Sequence, residues 1–127
     1  MGLLVVNKTL TFNTLATSAA TAATSTTADG AQLFDIVPTT KAGIIKIVNA
    51  SGANGTVTFS LAVGTHGGKA SAALTGSVAQ GVTSYLQVDS GKYANDDGEF
   101  ALTITPASGK KLLTDHALTV EYIQAAL

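Results

Sequence analysis

The stretch IIKIVNASGANGTVTFSLAVG, residues 44–64, decides the fold class. Two apolar runs flank a knot of small turn residues. After the turn, Val57, Phe59, Leu61 and Val63 alternate with Thr56, Thr58, Ser60 and Ala62. A period of two puts the first set on one face of a strand and the hydroxyls and small groups on the other. Before the turn, Ile45 and Ile47 lie opposite Ile44, Lys46 and Val48, so that strand is apolar on both faces and reads as central. Asn54-Gly55 favours positive φ, and SGANG (residues 51–55) reads as closing a hairpin.

The same period recurs along the chain. Lys8, Leu10 and Phe12 alternate with Thr9, Thr11 and Asn13. Phe34 and Ile36 alternate with Leu33, Asp35 and Val37, and Val82, Leu86 and Val88 share a face with Ser84. Phe100, Leu102 and Ile104 form a further face, as do Leu118, Val120 and Tyr122. Breakers separate the runs: GTHGGK at 64–69, DSGKYANDDG at 89–98 and TPASGKK at 105–111. Seven or eight short strands at this spacing predict one all-β domain over residues 1–127, an antiparallel β-sandwich or jelly roll. Phe59, Leu61, Phe100, Leu102, Ile104, Leu118 and Val120 are expected to face one core.

Two stretches depart from the pattern. Residues 14–30, TLATSAATAATSTTADG, are almost pure Ala, Thr and Ser without an amphipathic stripe. Their length exceeds an ordinary connection. The readings are a surface loop or an arm that orders on a neighbouring copy, with Thr14, Leu15, Thr17, Thr21, Thr24 and Thr27 as its candidate interface residues. Residues 69–81, KASAALTGSVAQG, read as a poor helix, an edge strand or a crossover loop.

Composition narrows the function. Of 127 residues, 12% are charged, against roughly a quarter in typical globular chains. The seven basic residues are all Lys, and the formal net charge is -1. Without Arg, the bidentate ligand of phosphates and guanine edges, a nucleic-acid partner is not expected. No window approaches the ~20 apolar residues of a membrane helix, so no membrane partner is expected either. The N-terminal MGLLVVNKTLTF has no basic region, and no signal peptide is read. With no Cys, thiolate chemistry is closed.

Catalytic spacing is missing. His66 and His116 stand alone, without an H-x-x-H or H-E-x-x-H pattern, and each reads as a solvated turn residue. GTHGGK lacks the phosphate-loop spacing, because Lys69 is followed by Ala70. No G-x-S-x-G elbow occurs. The densest carboxylates, Asp89, Asp96, Asp97 and Glu99, read as turn residues, with calcium binding as the sharper alternative. With Tyr93, the residues Asp89, Asp96 and Asp97 make the one candidate ligand loop. No cofactor, metal or catalytic residue is expected, and the chain reads as not an enzyme.

LFDIVPTTKAGIIKIVNASGANGTVTFSLAVG, residues 33–64, resembles a pattern common in small structural proteins of tailed bacteriophages: a strand ending in Pro, a linker, an apolar strand ending in an Asn-containing turn, then a TVTFSL-type strand. GVTSYLQVDSGKYA, residues 81–94, is similar to their later course. Among them the chain is most similar to head decoration, or cement, proteins. That resemblance implies a non-enzymatic protein, made in the host cytoplasm and seated on the capsid surface of the virion. Its partners would be its own copies, as a dimer or trimer, and a major capsid protein. A carbohydrate- or receptor-binding module of a tail fibre or adhesin is the alternative. Charge depletion fits the first reading, since charges are also scarce at interface cores.

Overall fold

The computed structural model describes residues 2–40, 42–65 and 67–125; His66, read as a solvated turn residue, lies outside them. Among the described residues there are ten strands and one helical turn: β1 (Leu3–Leu4), β2 (Asn7–Leu10), β3 (Thr21–Ala22), β4 (Gln32–Ile36), β5 (Ala42–Asn49), β6 (Val57–Leu61), β7 (Leu74–Val78), β8 (Val82–Asp89), α1 (Ser90–Tyr93), β9 (Phe100–Thr105) and β10 (Leu118–Ala125). The first sheet runs β1-β4-β9-β6-β7 and the second β2-β10-β5-β8, with β3 sharing the β2 edge of β10. The fold is an all-β sandwich, as the alternation predicts.

Three details differ from the sequence reading. The strands exceed seven or eight, because β1 and β3 have two residues each and show no alternation, while β7 is the edge strand that is one reading of residues 69–81. The sheets are mixed: β1 runs parallel to β4, and β2 parallel to β10, while the other pairings are antiparallel. SGANG is not a hairpin turn. It carries the chain from β5 in the second sheet to β6 in the first. Asn54 and Gly55 do adopt positive φ, at 75° and 89°. That conformation turns the chain, but the side-chain amide of Asn49, donating to the carbonyls of Gly55 and Val78, holds the turn between the sheets.

The core lies between the inner faces. Phe34, Ile36, Leu61, Phe100, Leu102 and Ile104 from the first sheet meet Ile45, Ile47, Leu118, Val120 and Tyr122 from the second, all wholly or almost wholly buried. Each such side chain contributes roughly 1.5–3 kcal/mol of transfer free energy. The rings of Phe100 and Tyr122 meet edge to face across the sheets, with centroids 5.8 Å apart and planes at 73°. Of the seven expected core residues only Phe59 is half-buried. It pairs with Gly76 of edge strand β7, and its ring lies so close over that glycine that an added Cβ would approach it to 2.7 Å. Gly76 thus keeps a place in a strand by receiving an aromatic neighbour.

In the sequence, Lys8, Leu10 and Phe12 alternate as one face of a strand over residues 8–13. Strand β2 ends at Leu10, and the side chains of Leu10 and Phe12 are exposed. Asn13 then takes φ 58° and reverses the chain before a further apolar residue can turn inward.

Candidate interaction surface

The outer face of the first sheet answers why its strands carry hydroxyls. Thr58 of β6 stands between Thr105 of β9 and Ser77 of β7, and Ser60 stands between Thr103 and Thr75. These six residues form two cross-strand rows of Thr and Ser, none of them buried. Cross-strand pairs of this type support a sheet by about 0.2–1 kcal/mol each. The rows themselves have no ionic group to desolvate when another surface covers them; the nearest charge on this face is Asp35 of β4, opposite Ala101.

The outer face of the second sheet is crossed by the chain itself. After β2, residues 11–20 double back and β3 joins β10 at Thr119 and Val120. Glu121 of β10 is the anchor. Its carboxylate accepts from Ser18 Oγ and from the Ala19 backbone N–H, both at 2.7 Å, and is buried beneath them. Thr14 caps the preceding turn, its N–H donating to the Thr11 carbonyl and its Oγ1 to that of Phe12. Leu15 is 97% exposed, Phe12 is 85% exposed, and Thr17 is exposed as well. Thr21 Oγ1 accepts from the Val6 N–H, and Thr24 exchanges hydrogen bonds with the Gln32 side chain. Thr27 accepts from Gly30 in a turn that Asp29 ties to the Gly109–Lys110 backbone.

Residues 14–30 therefore divide. Residues 14–17 form an exposed tip, whereas 18–30 are fastened to the chain's own second sheet and to the turn before β10. Ala23 is buried, and its N–H donates to the Leu118 carbonyl. Excising residues 18–28 would remove part of the domain, so the tip is the part that substitution can probe cleanly.

Beside that tip lies a shallow depression of about 330 Å³ lined by Leu10, Thr11, Phe12, Asn13 and Ala125. A second, of about 190 Å³, adjoins it through Leu10 and Ala125 and reaches Ile44 and Ile123 on β5 and β10. Ile44 and Ile123 are directly opposed across the strands. Tip and depressions make one apolar surface, with Lys8 beside Ile123 and Lys46 beyond Ile44 in the strand register.

Within the acidic loop, the carboxylates of Asp89 and Asp96 make local hydrogen bonds. Asp89 caps α1, accepting from the Gly91 N–H at 2.8 Å. Asp96 accepts from Thr65 Oγ1 at 2.6 Å. Asp97 donates its N–H to Asn95 Oδ1, which also accepts from Glu99. Tyr93 packs its ring against the core and is not a free stacking platform. Among the described residues no three His or acidic side chains converge as a metal site.

Sequence reasoning missed two polar clasps at opposite ends of β10. His116 is not a solvated turn residue. It is fully buried, with Nδ1 3.1 Å from Asn49 Oδ1 and Nε2 accepting from the Ala107 N–H at 3.1 Å. Those partners fix the neutral ring with its proton on Nδ1. Burial lowers its pKa, against a smaller opposing pull from Asp115. At the far end, Gln124 Oε1 accepts from the Thr39 N–H and Thr40 Oγ1, while its Nε2 donates to Thr39 and Thr9. Both clasps act on the fold, and Gln124 also lines the second depression.

No protein family, no curated protein and no solved structure matches this chain.

Proposed function

We propose that this chain is a non-enzymatic structural protein of a tailed-bacteriophage particle, a decoration protein that sits in several copies on the head exterior and stabilises it. The carrying observation is a pair of surfaces built without ionic groups, the Thr and Ser rows over β7, β6 and β9 of the first sheet and the apolar tip and depressions on the second; the charged residues of the two outer faces, Asp35, Lys8, Lys46, Asp89 and Glu121, lie outside their lining. Covering such faces avoids the several kcal/mol that desolvating each ionic group costs. The resemblance of residues 33–64 and 81–94 to phage head proteins points the same way. In this reading Phe12 and Leu15 reach a major capsid protein, and repetition across a shell turns a weak contact into a durable one.

The test is co-sedimentation with phage heads stripped of their decoration protein. Wild-type protein should pellet with the heads and raise their resistance to heat. The double variant Phe12→Ser/Leu15→Ser should stay in the supernatant with an unchanged melting temperature. If wild-type protein ignores heads and instead binds immobilised glycans, the tail-fibre or adhesin alternative holds.

A further inference from the structure

The four sheet edges of the sandwich are unequal. On one side the chain closes the sheets with short pieces: β1 has two residues, β2 four and β3 two. On the other side β7 has five residues broken by Gly76. The fourth edge, β8, has eight residues, Val82–Asp89, paired to β5 without interruption from Ala42↔Asp89 to Asn49↔Val82. Among the described residues nothing pairs with its other side.

Soluble proteins blunt such an edge with Lys, Pro, a bulge or a short strand. VTSYLQVD has none of these, and its single charge, Asp89, is at the end. The side chains are also unfinished. Leu86 and Ser84 point to the core side, opposite Ile45 and Ile47, yet are only half-buried. On the outer side Tyr85 is 65% exposed.

We propose that a second copy of this chain docks on β8, the two β8 strands pairing antiparallel about a two-fold axis so that both second sheets become one continuous sheet. A two-fold contact must oppose a surface to itself, and β8 meets that demand. Pairing that keeps each face continuous must match inner residues with inner and outer with outer. Centred on Tyr85, it sets Tyr85 against its copy, Thr83 against Gln87, Ser84 against Leu86, and Val82 against Val88. All seven residues from 82 to 88 find partners, no like charges face each other, and Asp89 falls outside the pairing. The half-buried Leu86 gains a neighbour at the end of its core. The inference rests on the β8 edge itself and not on attachment to a shell.

The chain contains no Cys, so single cysteines report the contact directly. Tyr85→Cys should give a disulfide-linked dimer under mild oxidation, several-fold faster than Thr83→Cys on the same strand or Ser77→Cys on edge strand β7. Native mass measurement of the wild-type protein should show a dimer, and Tyr85→Lys, which opposes two like charges at the axis, should leave a monomer with an unchanged circular dichroism spectrum. A wild-type monomer at all concentrations overturns the inference, as does a Ser77→Cys variant that cross-links as fast as Tyr85→Cys. Should Tyr85→Lys fail to fold, the cross-linking comparison decides alone. Heads bound by a monomer would sink the β8 contact and leave the proposed function standing; a β8 dimer that ignores heads would do the reverse.

Discussion

The imidazole of His116 and the side-chain amide of Asn49, both wholly buried, meet 3.1 Å apart where β5 ends and β10 begins. Asn49 spends its Nδ2 donors on Gly55 and Val78, which leaves Oδ1 to accept from the ring. The ring in turn accepts from Ala107. Four chain segments are joined by one neutral histidine.

That arrangement sets a pH response. The unfolded chain takes up a proton on His116 near its ordinary pKa of about 6.5, while burial holds the folded ring below that value. The unfolded state then binds more protons, so stability falls as pH drops below about 6.5 and is flat above it with respect to this group. Denaturant titrations across pH 4–8 should show the fall, and it should shrink in His116→Gln. An equal fall in that variant would remove His116 as the cause.

Tyr122 carries a buried hydroxyl with no hydrogen-bond partner among the described residues, and its pKa is raised by burial. The hydroxyl crowds Gly43, where an added Cβ would overlap the ring and its oxygen. Tyr122→Phe removes an unsatisfied polar group that costs about 1–3 kcal/mol, so it should be neutral or stabilising in thermal unfolding. Gly43→Ala should be destabilising, and less so in the Tyr122→Phe background. A Tyr122→Phe loss above about 1 kcal/mol would indicate a partner for the hydroxyl.

Core truncations should rank by burial. Phe100→Ala, at a wholly buried ring, should cost about 3–5 kcal/mol. Phe59→Ala should cost clearly less, because that ring is half in solvent over Gly76. Equal losses by chemical denaturation would mean that Phe59 is a full member of the core.

Glu121→Ala removes the acceptor for Ser18 and Ala19. Limited proteolysis should then cut within residues 14–20 well before the sandwich, and hydrogen exchange at Ala19 should quicken. Unchanged protection of Ala19 would show that β3 alone secures the segment.

The sandwich was legible because its long strands obey a period of two: Phe34 and Ile36, or Phe100, Leu102 and Ile104, announce an inner face without help from the rest of the chain. The short edges were not. Leu3–Leu4 and Thr21–Ala22 are strands because distant backbones offer them partners, and two residues hold no period. Asn54-Gly55 specified the backbone angles of a turn but not which sheet came next, since Asn49 settles that through Val78, 29 residues away. His116 looked solvated because its partner Asn49 is 67 residues distant. Of the interaction surface, the hydroxyl rows were legible strand by strand. The exposure of Phe12 and Leu15 was not, because it follows from Glu121 drawing residues 18 and 19 down onto the sheet.

The parallel pairing of β2 with β10 also sets an order in time. Thr9 and Gln124 touch although they lie 115 positions apart, so β2 must wait on the ribosome for β10 before it can pair. Contacts of such separation close large loops before they return any stabilisation, which slows folding. Until residue 125 has been made, the growing chain exposes β5 along the edge that β10 will cover, with Ile44, Ile45, Ile47 and Val48 unpaired. The growing chain is therefore most prone to aggregate in the interval between the synthesis of β5 and that of β10, and a slow docking of β10, visible in refolding from denaturant, is built into the order of its strands.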